Sequence, residues 1–301
     1  MTDAGSTVPR RSIGRALKTL REQAGISIEA ARRNLEWSKA KLYRIEAGLS
    51  PLRRLDVIAM CSIYGASQEI TDALAELAAE TKAKGWWHSY SDTLPDWFEL
   101  YVGLEAAASH VRQYEPGLVP GLLQTAEYAA AIIATGPGIT AVEVERRVAL
   151  RLARQEILTR RTPRPPRLDV IVEEAALRRP LADPVAMAAQ LEHLTVASQA
   201  QSVSIRVVPS TVGPHRALVA GAFVILDFPA VGMSTPEPTT VYSESLTGAL
   251  YLDKPAEAAT YEAAWKTLEQ LSMGPEESVA LLKSIIKESD ARPDARPVAH
   301  Q

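Results

Sequence analysis

The apolar periodicity of the first 84 residues is interrupted at Gly25, Gly48, Gly65 and Gly85, and stretches that short can build only a bundle of small helices. Ile13, Ala16, Leu17, Leu20 and Ala24 recur at helical spacing, with Arg15, Lys18, Arg21 and Glu22 between them. Ser27 has the residue type of an N-cap, and Ile28, Ala31 and Leu35 form the buried stripe of a second, short helix. Ser38 caps a third, in which Leu42 and Ile45 point inward. Ser50-Pro51 is expected to open a fourth, with Leu52, Leu55, Ile58 and Ala59 inward. A fifth is expected from Ser67 to about Lys84, with Ile70, Leu74 and Leu77 on one face.

Three short helices with a tight turn between the second and third are the geometry that lays one helix into a DNA major groove. The groove is about 12 Å wide and takes a single helix, so the inserted helix must be polar outward and apolar inward. Residues 38–48 satisfy this: Leu42 and Ile45 anchor the segment, while Lys39, Ala40, Tyr43 and Arg44 are expected outward, beside Ser38 and Lys41. Ala40 suits a thymine methyl, and Lys39 and Arg44 suit guanine or phosphate. Ser27, Arg53 and Arg54 stand at helix starts where backbone phosphates are expected, and Glu46 is expected to pair internally. Charge agrees, for residues 1–66 carry a net +6 and the remainder a net −9. A basic small domain on an acidic body is the split expected when that domain meets a polyanion.

The texture then changes. Residues 85–90 and 94–98 hold three of the five tryptophans, which reads as a packed junction instead of a free linker. Strands are expected at 109–114, 168–172, 203–208, 222–228, 239–243 and 249–252, and helices at 122–134, 141–161, 184–199, 256–271 and 275–287. The Arg-Pro stretch 160–167 must be a loop. The expected fold is an all-α N-terminal helix-turn-helix domain plus an α+β C-terminal domain with a mixed sheet and packed helices. The expected boundaries are 1–66 for the helix-turn-helix domain, 67–100 for a connecting helix and aromatic-rich junction, 101–288 for an α+β regulatory or partner-binding domain, and 289–301 for a disordered tail.

Two runs carry a resemblance. Residues 17–27 (Leu-Lys-Thr-Leu-Arg-Glu-Gln-Ala-Gly-Ile-Ser) resemble the opening of the lambda-repressor-like (xenobiotic response element, Cro-type) helix-turn-helix family, and residues 37–48 its recognition helix. Two positions depart from that pattern: Ile28 stands where the family often has glutamine, and Glu36 where it usually has a turn glycine. Residues 114–125 (Tyr-Glu-Pro-Gly-Leu-Val-Pro-Gly-Leu-Leu-Gln-Thr) resemble the start of a domain of unknown function that follows this helix-turn-helix in many actinobacterial regulators, and residues 246–252 continue the likeness. The resemblance spans about Ile13 to Lys287. It implies a developmental or antibiotic-related transcriptional regulator, often encoded beside a small partner protein and sometimes antitoxin-like, with no established ligand.

The five histidines are scattered without metal spacing, no loop is built to cradle phosphate, and Glu173 and Glu174 are adjacent, so on a strand they face opposite ways. No catalytic residue, metal or cofactor is expected, and Glu174 is expected to cap a following helix. The aromatic segment with Trp86, Trp87 and Trp97, together with Tyr114 and the loop residue His215, is a candidate lining for a small-molecule pocket. The competing role is a protein-binding face, for which the helix at 141–161 offers Arg146, Arg147, Arg151 and Arg154. The single cysteine, Cys61, excludes a disulfide framework, and no apolar run reaches the ~20 residues of a membrane span, so a cytoplasmic protein is expected. One helix-turn-helix reads few bases, so a homodimer on a short inverted repeat of double-stranded DNA is expected, with half-sites about 34–36 Å apart.

Overall fold

The structure, a computed structural model, describes residues 7–81, 86–90, 96–229 and 237–290. The chain divides into two compact units, the first comprising residues 1–107 with 228–237, the second 108–227 with 238–301.

The first unit opens with α1 (Thr7–Gln23), α2 (Ile28–Asn34), α3 (Lys39–Glu46), α4 (Arg54–Tyr64) and α5 (Gln68–Glu80). Ser27, Ser38 and Ser67 each accept a hydrogen bond from the backbone N–H three residues on, which starts α2, α3 and α5 where sequence places them. The core joins Ile13 and Leu17 of α1 to Ala31, Leu42, Ile45, Val57, Met60, Cys61 and Leu74. Two glycines let α1 cross α3 at close range. A Cβ on Gly14 would lie 2.5 Å from the Ile45 carbonyl oxygen, and one on Gly48 would lie 2.7 Å from Arg11 Cα.

The fourth helix departs from expectation. Leu52 is buried ahead of it, its N–H donating to Thr81 Oγ1 at 3.0 Å, and the helix begins only at Arg54 after the N-cap Arg53. The inward stripe is therefore Val57, Met60, Cys61 and Tyr64, whereas Leu55, Ile58 and Ala59 face out. Beyond α5 a 3-10 turn (Trp86–Tyr90) precedes α6 (Asp96–Ala107), a helix the aromatic texture of that stretch concealed. Trp86 and Phe98 pack against Val102 and Ala106 of α6. Glu237 also belongs to this unit, where its buried carboxylate meets Arg11 Nε at 3.0 Å and pairs with Arg15, both on α1.

The second unit holds β1 (His110–Glu115), α7 (Ala126–Ile133), α8 (Ala141–Gln155), β2 (Arg167–Glu173), α9 (Glu174–Leu177), α10 (Pro184–Ala197), β3 (Val203–Val208), α11 (Arg216–Ala220), β4 (Phe223–Asp227), β5 (Thr240–Ser245), β6 (Gly248–Leu252), α12 (Pro255–Leu271) and α13 (Pro275–Asp290). The six strands form one mixed sheet in the order β3-β2-β1-β4-β5-β6. β1, β2 and β3 run parallel, joined by helical crossovers, and β4, β5 and β6 continue antiparallel from β1. One sheet face carries Tyr114, Ile171, Phe223, Ile225 and Val241 against Trp265 and Leu268 of α12. Residues one step along each strand, among them Gln113, Glu115, Val224 and Tyr242, face the other way. There α8 supplies Arg151 near Glu115 and Arg154 near Tyr242.

The expected tail at 289–301 falls outside the described residues from 291 on. Among the described residues no helix is long and apolar enough to cross a membrane.

Candidate functional site

α2, the turn at 35–38 and α3 make the helix-turn-helix. Within that turn Glu36 has φ 56°, the left-handed region in which glycine is the unstrained residue. The chain reverses there in spite of the side chain, held by Glu36 N–H to Arg33 O at 3.2 Å and Trp37 N–H to Arg32 O at 2.9 Å. Ile28 is half-buried against the core, so it acts as packing.

α3 presents Lys39, Ala40, Tyr43 and Arg44 to solvent on one side and buries Leu42, Ile45 and Glu46 on the other. Tyr43 is 62% exposed and stands in this outward row. Ser27, Ser38, Arg53 and Arg54 are exposed at the N-terminal ends of α2, α3 and α4, where backbone N–H groups and helix dipoles favour phosphate oxygens. Lys41 is drawn away from this row. Its ammonium lies 3.5 Å over the Trp37 ring and 3.5 Å from Asp56 Oδ1, so it braces α3 against the start of α4. Lys39 sits 3.5 Å from Glu29, whose carboxyl is held below its ordinary range chiefly by the Arg32 hydrogen bond.

Behind the surface, α3 is locked to α1 by a bidentate pair. Arg21 donates to both carboxylate oxygens of Glu46, at 2.6 and 2.8 Å, and to the Ile26 carbonyl oxygen at 3.0 Å. Both side chains are buried, and the hydrogen bond to Glu46 raises the Arg21 pKa further. Nearby, burial pushes the Tyr64 hydroxyl up to about 12.

The residues considered for a pocket separate. Trp86 and Trp97 lie in the first unit, Trp97 packing edge-on to Phe98, and the Trp87 side chain lies outside the described residues. Tyr114 and His215 come together in the second unit through Glu173 at the end of β2. Tyr114 Oη donates to Glu173 Oε1 at 2.8 Å, and His215 Nε2 lies 2.9 Å from the same oxygen. Burial first, and the bond to Glu173 second, push the Tyr114 pKa well above its ordinary value. Glu173 thus joins Tyr114 and His215 through one carboxylate oxygen. The Nδ1 of His215 is buried with no hydrogen-bond partner among the described residues. The cluster sits at the carboxyl end of the parallel strands, where open α/β sheets hold ligands. Sequence alone set Glu173 aside; its partners are 59 and 42 residues away.

Glu174 does not cap α9; it turns to Ser210, accepting its N–H at 2.9 Å. The arginine face expected on the helix at 141–161 is likewise divided, because that helix ends at Gln155 and Arg154 is buried. Arg151 is half-buried and donates to Gln124 Oε1 at 2.6 Å, leaving only Arg146 and Arg147 of the four at the surface.

Comparison with protein families finds two domains, the second of which begins within α6 and so takes in residues that pack with the first unit. A domain of unknown function (DUF5753) matches residues 98–284, and a helix-turn-helix domain matches residues 12–74. The chain belongs to the DUF5753 family. This DUF5753 chain therefore carries a helix-turn-helix DNA-binding domain ahead of its family domain. No curated protein and no solved structure matches it.

Proposed function

We propose that the chain is a dimeric, sequence-specific transcriptional regulator that reads a short inverted repeat with α3 and takes its signal through the DUF5753 domain. The exposed row Lys39, Ala40, Tyr43 and Arg44 carries this reading, set on a helix that Arg21 and Glu46 fix from behind. Lys39 and Arg44 supply charge and base-edge donors, Ala40 allows close approach, and Ser27, Arg53 and Arg54 position the backbone. Binding falls as salt rises, because each neutralised phosphate releases counterions. Gel-shift titration of the full chain on DNA recovered by co-precipitation tests the reading. Replacing Lys39 and Arg44 together by alanine removes about 1–3 kcal/mol each, roughly thirtyfold or more in affinity. Retained affinity in that double variant removes α3 from the groove.

The signal reaches the second unit from a small protein partner encoded nearby, a role for which Arg146 and Arg147 remain exposed. A second reading, direct sensing of a small molecule, is favoured by the unpartnered Nδ1 of His215 beside Glu173. Co-purification with the neighbouring gene product, compared with a metabolite screen by thermal shift on wild type and His215→Ala, separates the two.

A further inference from the structure

We propose that Glu29 reads DNA together with Lys39, and that the two select a G·C pair with guanine on the Lys39 side. This rests on the reading of α3 above and deepens it, making a residue of α2 a determinant of specificity.

Glu29 lies in the first turn of α2, yet its side chain reaches across the turn to the start of α3. Its Oε1 lies 3.5 Å from Lys39 Nζ, and its Oε2 accepts from Arg32 Nε. Arg33 Nε donates to the Glu29 backbone carbonyl at 3.2 Å. Lys39 is the first residue of α3, and its side chain is 70% exposed beside the 50% exposed carboxylate. The N-terminal residues of a recognition helix are the ones that meet base edges. An ion pair this exposed contributes little to stability, so joining α2 to α3 does not account for it. Held below its ordinary pKa range chiefly by the Arg32 hydrogen bond, the Glu29 carboxyl stays ionised and can only accept.

The two side chains therefore present an acceptor and a donor side by side. In the major groove a G·C pair shows the guanine O6 and N7 acceptors next to the cytosine N4 amine. O6 and N4 are hydrogen-bonded to each other, so they lie about 2.9 Å apart, close to the spacing of the two side-chain groups. The ammonium of Lys39 meets O6 and N7 while the carboxylate of Glu29 meets the N4 amine. The other pairs fit worse. An A·T pair with adenine at Glu29 also offers an amine beside a carbonyl oxygen. There, however, the adenine N7 lone pair faces the carboxylate, and the thymine methyl replaces N7 at the ammonium. Reversing either pair sets the carboxylate against O6 or O4 and the ammonium against an amine. Arg32, on the second carboxylate oxygen, offsets the charge of Glu29 against the phosphates.

Gel-shift titration of the full chain tests this on three sets of DNA: the operator recovered by co-precipitation, duplexes with each base pair replaced in turn, and a scrambled duplex of equal length. For the wild type, one position is expected at which G·C outbinds its reversal by about tenfold or more. Glu29→Ala is expected to lower that ratio to about threefold or less, and to bind the scrambled duplex at least as tightly as the wild type because a negative charge has left the surface. Glu29→Gln is expected to admit A·T and the reversed pairs at that position alone, since its amide both donates and accepts. Lys39→Ala is expected to flatten the same position, which ties both residues to one base pair. A Glu29→Ala profile that keeps the wild-type preference at every position overturns the proposal. So does a loss of preference at a position that Lys39→Ala leaves alone. Affinity that falls equally for operator and scrambled duplex also overturns it, because a merely structural contact would give that result. The reading of α3 fails separately: wild-type affinity in the Lys39→Ala and Arg44→Ala double variant removes the helix from the groove, whereas a Glu29 without base preference leaves it there.

Discussion

In the first unit Lys39 and Arg44 of α3 lie outside, and a bidentate pair, Arg21 with Glu46, is buried to hold the helix in place. In the second unit the polar groups are inside. Tyr114 and His215 both bond to Glu173 on one face of the sheet, while Gln113, Glu115 and Tyr242 lie on the other. A surface that reads a polymer needs exposed donors on a rigid backing. Buried titratable groups tie the second unit instead to solvation, and so to ligands and protons. The two units can be tested against each other through these groups.

The largest effect is expected in the first unit from Glu46→Ala, which leaves the Arg21 guanidinium buried without its carboxylate. Removing one partner of a buried pair costs about 3–5 kcal/mol, so the thermal transition of the helix-turn-helix should fall sharply and DNA binding with it. An unchanged transition would mean that α1 and α3 are held by apolar packing alone.

The second unit answers to pH. Desolvation pushes the Glu115 carboxyl up to about 7, with the Gln113 amide opposing it at 2.8 Å. The folded state thus holds a proton that the unfolded state releases near 4.5. Stability is therefore greatest below that value and declines as pH rises toward about 7, by at most about 3 kcal/mol. Glu115→Gln should abolish the slope; a slope that persists assigns the proton elsewhere.

Gly14→Ala comes next. Alanine in an exposed helix interior gains up to about 1 kcal/mol over glycine. Here the added methyl meets the Ile45 and Glu46 carbonyls, so a net loss of about 1–3 kcal/mol is expected by chemical denaturation. A gain would show that α1 shifts freely over α3. The smallest effect runs the other way. Glu36→Gly relieves a left-handed residue and should stabilise the first unit by about 1 kcal/mol without altering DNA affinity.

Much of the fold was legible because its determinants are local. Ser27, Ser38 and Ser67 cap the helices their sequence positions announce, and β3 runs over the residues the alternation indicates. α4 misled because Ser50-Pro51 has the composition of a helix start, while Leu52 is buried outside the helix by Thr81, a residue 29 positions on. α6 was missed because its apolar residues surround it, leaving little periodicity to detect. The outward row of α3 could be read from helical spacing, but Lys41 could not be placed, because Asp56 and Trp37 decide its direction. Strand order and the Tyr114–Glu173–His215 cluster arise from pairings between distant segments, such as β1 with β4, which no local pattern encodes.

The polypeptide enters the second unit after Ala107, returns to the first over 228–237, and leaves it again, so the boundary is crossed three times. After a protease nick at Ala107 the DNA-reading part would still be tied to the later segment by the ion pairs of Arg11 and Arg15 with Glu237. Nor is that part a transplantable cassette. An exchange of heads between two relatives at a single junction would strand the native Glu237 in one protein and Arg11 with Arg15 in the other, so recombination has to preserve the pair or replace both sides at once.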